Sequence, residues 1–430
     1  MSLKIIKYLK YVTIMAMIVM GSTVNSVFTL LALLLAGVII VNSHVQEIME
    51  VQLLLVSFAG LMFFRSSISL LNIVIVLSVV RLFFLCGFRL QKKTLYFFMS
   101  VLMINLISII VTNGAAVKDL ITFDAEMIML GLALQSSERV DIVECVRVYA
   151  IALIISSIVC AGADYLPGIK NYINTVSYRY SSSGDIITRY AVLMGNPNYF
   201  TLSLNIAISI LLIKALKAKH AIVDYFLVLL MIVFGIMSLS KGFVLGLMVN
   251  LSLLLLYYIF MQPSKGIKLI LSGLLGTIVV VYAVGQQYIS ILLDRLSIGN
   301  GFSTLDLNSY TTNRVDKFKL YFDYMSEHFG KTLIGNGFGT LINGQASHNA
   351  VIEGVFFFGI IGFLLLLFSL SRFISIEHIN RTTAVCYIPF FVLLARCMGI
   401  NLWVSISLPY YLFIIIMSLS HEAFENEDVE

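Results

Sequence analysis

The sequence predicts an all-α polytopic membrane protein. Of its 430 residues, 60% are hydrophobic and only 12% are charged, and the mean hydropathy is +0.98. Because soluble domains carry about 25% charged residues, this composition excludes an ordinary soluble domain. Apolar runs long enough to span a bilayer recur from end to end. A β-barrel would show short alternating segments instead, so the continuous runs exclude it.

The apolar runs predict about fourteen transmembrane helices, with a range of about 11–14, several of them short. The predicted cores are 8–22, 25–42, 51–64, 68–87, 95–112, 121–135, 142–163, 198–213, 221–239, 243–260, 267–285, 348–370, 383–400 and 402–419. The sixth core is the weakest, because Asp124 and Glu126 lie near its start. Lys4, Lys7 and Lys10 precede the first core without a cleavage-site pattern, which predicts a retained span rather than a signal peptide.

The charges of the loops test this order of spans. With the N-terminus and the acidic C-terminal tail in the cytoplasm, the inside loops are basic, as the positive-inside rule expects. The basic residues in these loops are Arg89, Lys92, Lys93, Lys214, Lys217, Lys219, Lys265, Lys268, Arg372 and Arg381. One inside loop, 43–50, disagrees, because it carries Glu47 and Glu50 and no basic residue. The net charge of +5 therefore reflects membrane topology, and no nucleic-acid partner is expected.

The spans divide the chain into four regions. These are N-terminal helices over 1–163, a central region over 164–285 with a first outer loop at 164–197, a long outer loop over 286–347, and C-terminal helices and a tail over 348–430. Within the long loop, Thr311 or Thr312 can cap a helix. Apolar residues then recur at three- and four-residue spacing, namely Val315, Phe318, Phe322, Met325 and Phe329. This spacing predicts an amphipathic helix that lies on the membrane or packs on the bundle.

Two helix starts face the outer side next to basic residues. Pro197 suits the first turn of a helix and Asn196 can cap it, with Asn198 following. Free amides at a helix start favour anions, and Arg189 lies just upstream, so a diphosphate cradle is one interpretation and a membrane-anchoring arginine is the other. Lys241, in Ser240-Lys241-Gly242, lies outside against the charge trend and is either a ligand-binding residue or a snorkelling lysine.

His348 and Asn349 stand where the long outer loop meets an apolar helix. Imidazole has an ordinary pKa of about 6.5, so a neutral His348 can accept a proton; the alternative is an ordinary interfacial histidine. Gly337 lies in the run Gly335–Gly339, which lacks the GK[ST] of a nucleotide-binding loop and is interpreted as a turn that brings backbone close to the site. The sequence has no HExxH, no outward-facing DxD and no CxxC among its five cysteines, so no metal site is predicted.

The ordered set of these motifs resembles the superfamily of O-antigen polymerases and O-antigen ligases, and the Wzy-type polymerases most closely. The similarity covers about 185–370; the first half of the chain matches only as hydrophobic spans. The motifs are Arg189, Gly195 to Asn198, Ser240 to Gly242, Arg314, Gly335 to Gly339, and His348-Asn349 with Gly359 and Gly362. The family often has arginine where this chain has Lys241, and lysine keeps the charge but loses the bidentate geometry.

The resemblance implies a glycan transferase at the periplasmic face of a bacterial inner membrane. Its donor and acceptor would be oligosaccharides on undecaprenyl diphosphate, it would need no cofactor, and a flippase and a chain-length regulator would be partners beside the membrane lipids. Arg189, Arg314 and His348 would be the catalytic residues, with Arg189 and Arg314 on the diphosphate and His348 on the acceptor hydroxyl. Substrate binding would involve Asn196, Asn198, Lys241, Gly337 and Asn349.

Two other functions remain open from the sequence. An O-antigen ligase, which transfers finished glycan to lipid A core, shares the local motifs. A flippase or transporter of lipid-linked sugars would carry its charges in a central cavity between spans, whereas the basic residues singled out here fall on outer loops and span ends.

Overall fold

The computed structural model describes residues 2–64, 68–180, 186–188, 193–218, 221–261, 314–374 and 384–419, with residues 276 and 291. Within these ranges the chain is a bundle of helices. The helices are α1 (Ser2–Thr23), α2 (Val27–Asn42), α3 (Val45–Val56), α4 (Leu70–Leu85), α5 (Lys92–Val111), α6 (Val117–Gln135), α7 (Ile142–Ala161), α8 (Pro167–Ser177), α9 (Pro197–Lys217), α10 (Ile222–Met237), α11 (Lys241–Met261), α12 (Arg314–Glu327), α13 (Phe329–Ile334), α14 (Ala350–Ser371), α15 (Ile388–Cys397) and α16 (Leu408–Leu419). Two short antiparallel pairs are also present, β1 (Phe63–Phe64) with β2 (Ile68–Ser69) and β3 (Tyr178–Tyr180) with β4 (Ile186–Thr188). The described 3₁₀ turns are Ala59–Leu61, Ser137–Arg139, Ala163–Tyr165 and Ala384–Tyr387.

The prediction of a helical membrane protein is confirmed. Six of the described helices are long and apolar enough to cross a bilayer, namely α1, α5, α7, α9, α11 and α14. Five apolar stretches are shorter, at 10–17 residues: α2, α4, α10, α15 with the 3₁₀ turn before it, and α16. Because a helix needs about 20 apolar residues to cross the hydrocarbon core, fourteen complete spans stay a prediction. The predicted span 267–285 lies outside the described residues, apart from residue 276.

Helix α9 is the central helix of the described bundle. Nearly all of its side chains from Phe200 to Ala215 are buried, and it packs against α7, α10, α11 and α15. A helix covered on all sides can be apolar all round. Polar residues on α9, including Thr201, Ser203 and Asn205, therefore face protein.

Polar contacts between helices lie at the two ends of the bundle. At one end, Lys7 Nζ lies 2.8 Å from Glu50 Oε1, and Arg147 Nε lies 2.7 Å from Asp224 Oδ1. At the other end, Tyr199 Oη donates to the carbonyl of Asn401 at 2.7 Å. These contacts join residues that the predicted alternation places on the same side of the membrane. Which end faces the cytoplasm stays a prediction.

The acidic loop at 43–50 is mostly helix. Helix α3 begins at Val45 and ends at Val56, so it covers only the first part of the predicted span 51–64. The Glu50 side chain is fully buried, and it accepts hydrogen bonds from Lys7 Nζ at 2.8 Å and Tyr11 Oη at 2.7 Å. The acidic charge that disagrees with the loop rule is thus paired with the basic N-terminal segment.

Helix α12 packs on the bundle through part of the predicted apolar stripe, Met325 and Phe318, and through Tyr321 beside it. Its buried residues are Tyr321 and Met325, and the Tyr321 ring stands edge-on to Phe356 of α14 at 4.8 Å. Val315 and Phe322 of the stripe are 41% and 57% exposed. Their exposure leaves an apolar face directed away from the protein, as a helix at a membrane surface requires. The predicted caps Thr311 and Thr312 lie outside the described residues.

A break in α14 anchors the glycine-rich loop. Gly359 has φ 70° and ψ 167° inside the helix, a conformation that is essentially restricted to glycine. The break frees the carbonyls of Phe356 and Phe357, which accept the amides of Asn336 at 2.8 Å and Gly337 at 3.1 Å. The loop after α13 therefore completes the hydrogen bonding of the broken helix, as buried backbone groups require.

Candidate active site

Arg396 is the centre of the polar cluster at the predicted outer end. It lies in the last turn of α15 and is 5% exposed. Its Nη2 donates to Thr201 Oγ1 at 2.9 Å and to the Asn198 carbonyl at 3.2 Å, while Nε has no hydrogen-bond partner in the part of the chain that the structure describes. None of the ion pairs among the described residues includes Arg396. A buried guanidinium held only by neutral oxygens is costly unless an anion joins it.

Gly242 makes the approach of α11 to Arg396 possible. A Cβ at Gly242 would overlap the Arg396 guanidinium, and a Cβ at Gly246, one turn later, would overlap the amide of Asn205. The predicted short connection at Ser240 is confirmed, because α10 ends at Met237 and α11 begins at Lys241. Lys241 is half-buried and directly precedes the glycine on which the arginine packs.

Arg314 brings a second guanidinium to the same place. It is the first residue of α12, and its Nη1 would lie 2.6 Å from a Cβ at Gly399, just beyond the end of α15. It is close enough to Arg396 for the two positive charges to interact. Since like charges repel at this range, the pair favours an anion between or beside them.

His348 and Asn349 lie next to the end of α15. Asn349 caps α14, because its Oδ1 accepts the amides of Val351 at 3.0 Å and Ile352 at 3.1 Å, and its Nδ2 approaches Met398 Sδ at 3.8 Å. His348 is half-buried with φ 55°, a left-handed conformation that costs a non-glycine residue about 1–3 kcal/mol. The cap and its serine neighbour hold this backbone, since Ser347 Oγ accepts the Asn349 amide at 3.2 Å.

The start of α14 is also fixed by the segment that follows α15. Glu353 is 2% exposed, and its Oε2 accepts the Leu402 amide at 3.0 Å. Trp403 Nε1 donates to the Ala350 carbonyl at 2.6 Å. These bonds tie the first turn of α14 to Leu402 and Trp403, which lie a few residues beyond Gly399, the residue that Arg314 approaches. Glu353, like Arg396, was not predicted from the sequence.

The start of α9 is as predicted. Asn196 Oδ1 accepts the Asn198 amide at 2.8 Å, and Pro197 is the first helical residue. Both asparagines of the motif are thus engaged with backbone: Asn196 as the cap and Asn198 through its carbonyl on Arg396. The predicted anion site at this helix start gains a cation in Arg396. Arg189, the cation predicted there, lies outside the described residues.

The described contacts of Gly337, a predicted site residue, are with Phe357 and Thr112 and not with the arginines. Its amide is bonded to Phe357, and a Cβ at this position would overlap the Thr112 side chain of α5. Its contacts join α5 to the break in α14. The role of Gly337 in substrate binding stays a prediction.

Three of the described helices begin at the two arginines: α9, α11 and α12. A helix start carries partial positive charge, so these starts add to the field of the two guanidinium groups. The arrangement suits an anionic group with several oxygens, such as a phosphate or diphosphate. Among the described residues, no three His, Cys, Asp or Glu side chains form a group that could hold a metal ion.

No protein-family model matches the chain, and no curated protein matches it significantly.

Proposed function

We propose that the chain is a bacterial membrane polymerase that joins oligosaccharide repeat units carried on undecaprenyl diphosphate. The observation that carries the proposal is the convergence of Arg314 and Arg396 at the end of α15, to which the Asn349 cap of α14 also packs. Arginine pairs bind phosphate oxygens through paired N–H groups. The order of the sequence motifs supplies the reaction class.

In the proposed reaction, Arg314 and Arg396 bind the diphosphate of the donor, with Arg189 and Lys241 adding charge. A hydroxyl oxygen of the acceptor sugar attacks the anomeric carbon of the donor. The bond from that carbon to the diphosphate oxygen breaks, and the diphosphate leaves with the electron pair. The leaving group is already a stable anion, so cationic side chains can stabilise its developing charge.

His348 is the proposed acceptor of the hydroxyl proton. His348 directly precedes Asn349, the α14 cap, whose side-chain amide approaches Met398 just beyond Arg396. A general base near its operating pH contributes typically about 10²–10⁴-fold to the rate. Asn349 holds the backbone that presents the histidine, which is a positioning role.

The site is proposed to face the periplasm from the bacterial inner membrane, with both termini in the cytoplasm. A flippase would deliver the lipid-linked unit to that face, and a chain-length regulator would act on the growing product. No cofactor is proposed.

Deletion of the gene, followed by gel display of surface glycan, tests the proposal. A polymerase predicts single repeat units attached to core. Loss of all glycan from core would instead indicate a ligase, and accumulation of lipid-linked units on the inner leaflet would indicate a flippase.

A further inference from the structure

A cavity lies at the predicted outer end of the bundle, next to the segment that leads into α9. Its volume is about 250 Å³, and its wall includes Gly21, Ser22, Ser26, Thr29, Gly60 and Tyr172. None of the described residues that line it is charged. It is smaller than the roughly 300–1,000 Å³ of pockets for drug-sized ligands, so its size suits a single small ring.

Thr29 lines this wall with a hydroxyl that has no hydrogen-bond partner among the described residues. The residue as a whole is 6% exposed. Threonines of the neighbouring helix α1 behave differently, because Thr13 Oγ1 and Thr23 Oγ1 donate to carbonyls four residues earlier, at 2.8 and 2.9 Å. A ligand in the cavity can therefore supply the Thr29 hydroxyl with a hydrogen-bond partner.

The other walls offer hydroxyls and an aromatic ring. Ser26 precedes α2 without capping it through its side chain, and Ser22 Oγ, which donates to the Val19 carbonyl at 2.9 Å, can still accept. Tyr172 forms one side. Together they present neutral donors and acceptors next to an amphipathic ring face.

Tyr172 also connects the cavity to the candidate active site. Its hydroxyl would lie 3.0 Å from a Cβ at Gly195, the residue before the α9 cap, and a Cβ at Gly60 would overlap it. The Gly60 amide donates to the Leu193 carbonyl at 2.6 Å. The cavity and the start of α9 therefore share a wall.

We propose that this cavity binds one neutral sugar residue of the glycan. The proposal rests on the proposed function and names a subsite for it. Neutral hydroxyls match the donors and acceptors of a sugar ring, and the absence of charge in the wall disfavours the diphosphate itself. The sugar belongs either to the donor unit or to the acceptor chain.

Binding of the repeat-unit oligosaccharide, released from its lipid by mild acid and added to the purified protein in detergent, tests the subsite. Ser26→Phe places a ring into the cavity from an exposed position and should abolish this binding. Thr29→Val removes only the hydroxyl and should weaken binding about fivefold, the effect of one hydrogen bond. Thr23→Val is the control, because its hydroxyl is already bonded within α1, and its binding should match the wild type.

The stability of Thr29→Val separates a ligand-binding hydroxyl from a structural one. A hydroxyl without a protein partner should leave the unfolding temperature unchanged or higher when it is replaced by a methyl group. Wild-type protein that fails to bind the oligosaccharide, or a Ser26→Phe variant that binds it normally, would overturn the subsite.

Elongation kinetics then assign the source of the sugar. A Thr29→Val variant with a raised KM for the donor alone places a donor sugar in the cavity, and a raised KM for the acceptor alone places an acceptor sugar there. Normal oligosaccharide binding without any elongation by the wild type would retain the subsite while contradicting the polymerase.

Discussion

At the scale of residues, Arg396 is the buried cation of the site. Its Nη2 holds two neutral oxygens, and its Nε is unpartnered among the described residues. Lysine retains the charge but cannot reproduce the planar fork. We expect Arg396→Lys to reduce elongation by about 10- to 100-fold, because a charge-assisted hydrogen bond contributes about 1.5–3 kcal/mol. Arg314→Lys should be impaired in the same direction.

Arg81 offers a matched control for these variants. Its Nε and Nη2 donate to the Ser43 carbonyl at 3.2 and 3.1 Å, so it too is bound to a neutral oxygen, but at the other predicted end of the bundle. Arg81→Lys should therefore leave elongation near the wild-type rate. Equal losses in Arg81→Lys and Arg396→Lys, measured on protein that reaches the membrane, would mean that the effect is structural.

His348 makes a prediction about pH. A base is active when neutral, so the elongation rate should fall as pH drops and the imidazole takes up a proton. His348→Ala should lose most elongation while still binding the lipid-linked donor. A flat pH profile together with an active His348→Gln variant would leave this residue in a positioning role.

Contacts between residues close in the sequence were easier to predict than contacts between residues far apart in it. The cap at Asn196 was predicted and is confirmed, because capping depends on residues only a few positions apart. The cap at Asn349 was not predicted, although it is equally local. Arg396 was missed, since its hydrogen bonds reach residues 195 and 198 positions away. The available signal was a single arginine inside the apolar run 383–400, and charged residues within spans are rare and commonly functional.

At the scale of elements, the break in α14 is the feature most dependent on one residue. A Cβ at Gly359 would overlap the Leu333 carbonyl, and its backbone lies in a glycine-only region. We expect Gly359→Ala to lower the free energy of unfolding by at least about 1–3 kcal/mol, measured as thermal unfolding in detergent. Gly330→Ala in α13, where a Cβ meets open space, is the control and should be neutral or slightly stabilising.

Element boundaries were less predictable than the existence of elements. In place of the predicted span 51–64, a buried helix begins at Val45 and ends at Val56. It can begin before the predicted span because Lys7 and Tyr11 donate hydrogen bonds to the buried Glu50. The face of α12 was predicted from apolar spacing alone. Tyr321, which was absent from the predicted stripe, also packs on Phe356, since the partner surface decides which face is buried.

At the scale of the whole molecule, the alternation of spans predicts which loops are accessible from outside. Single cysteines at Ser182 and Asp306 should react with a membrane-impermeant reagent in intact cells, and a cysteine at Lys217 should not. The five native cysteines should be replaced first, although four of them are buried. Labelling of position 217 from outside would contradict the order of spans. The arginine cluster would then no longer be assigned to the periplasmic face.

The central claim, that a cluster of cations and a histidine performs metal-independent glycan polymerisation, is tested most directly by purified protein. The protein is given lipid-linked repeat units in excess EDTA, and the chain length of the product is measured. The account predicts long chains from the wild type and almost none from Arg396→Ala, while Arg81→Lys remains active. No elongation by the wild type, or elongation that needs added magnesium or manganese, would contradict it.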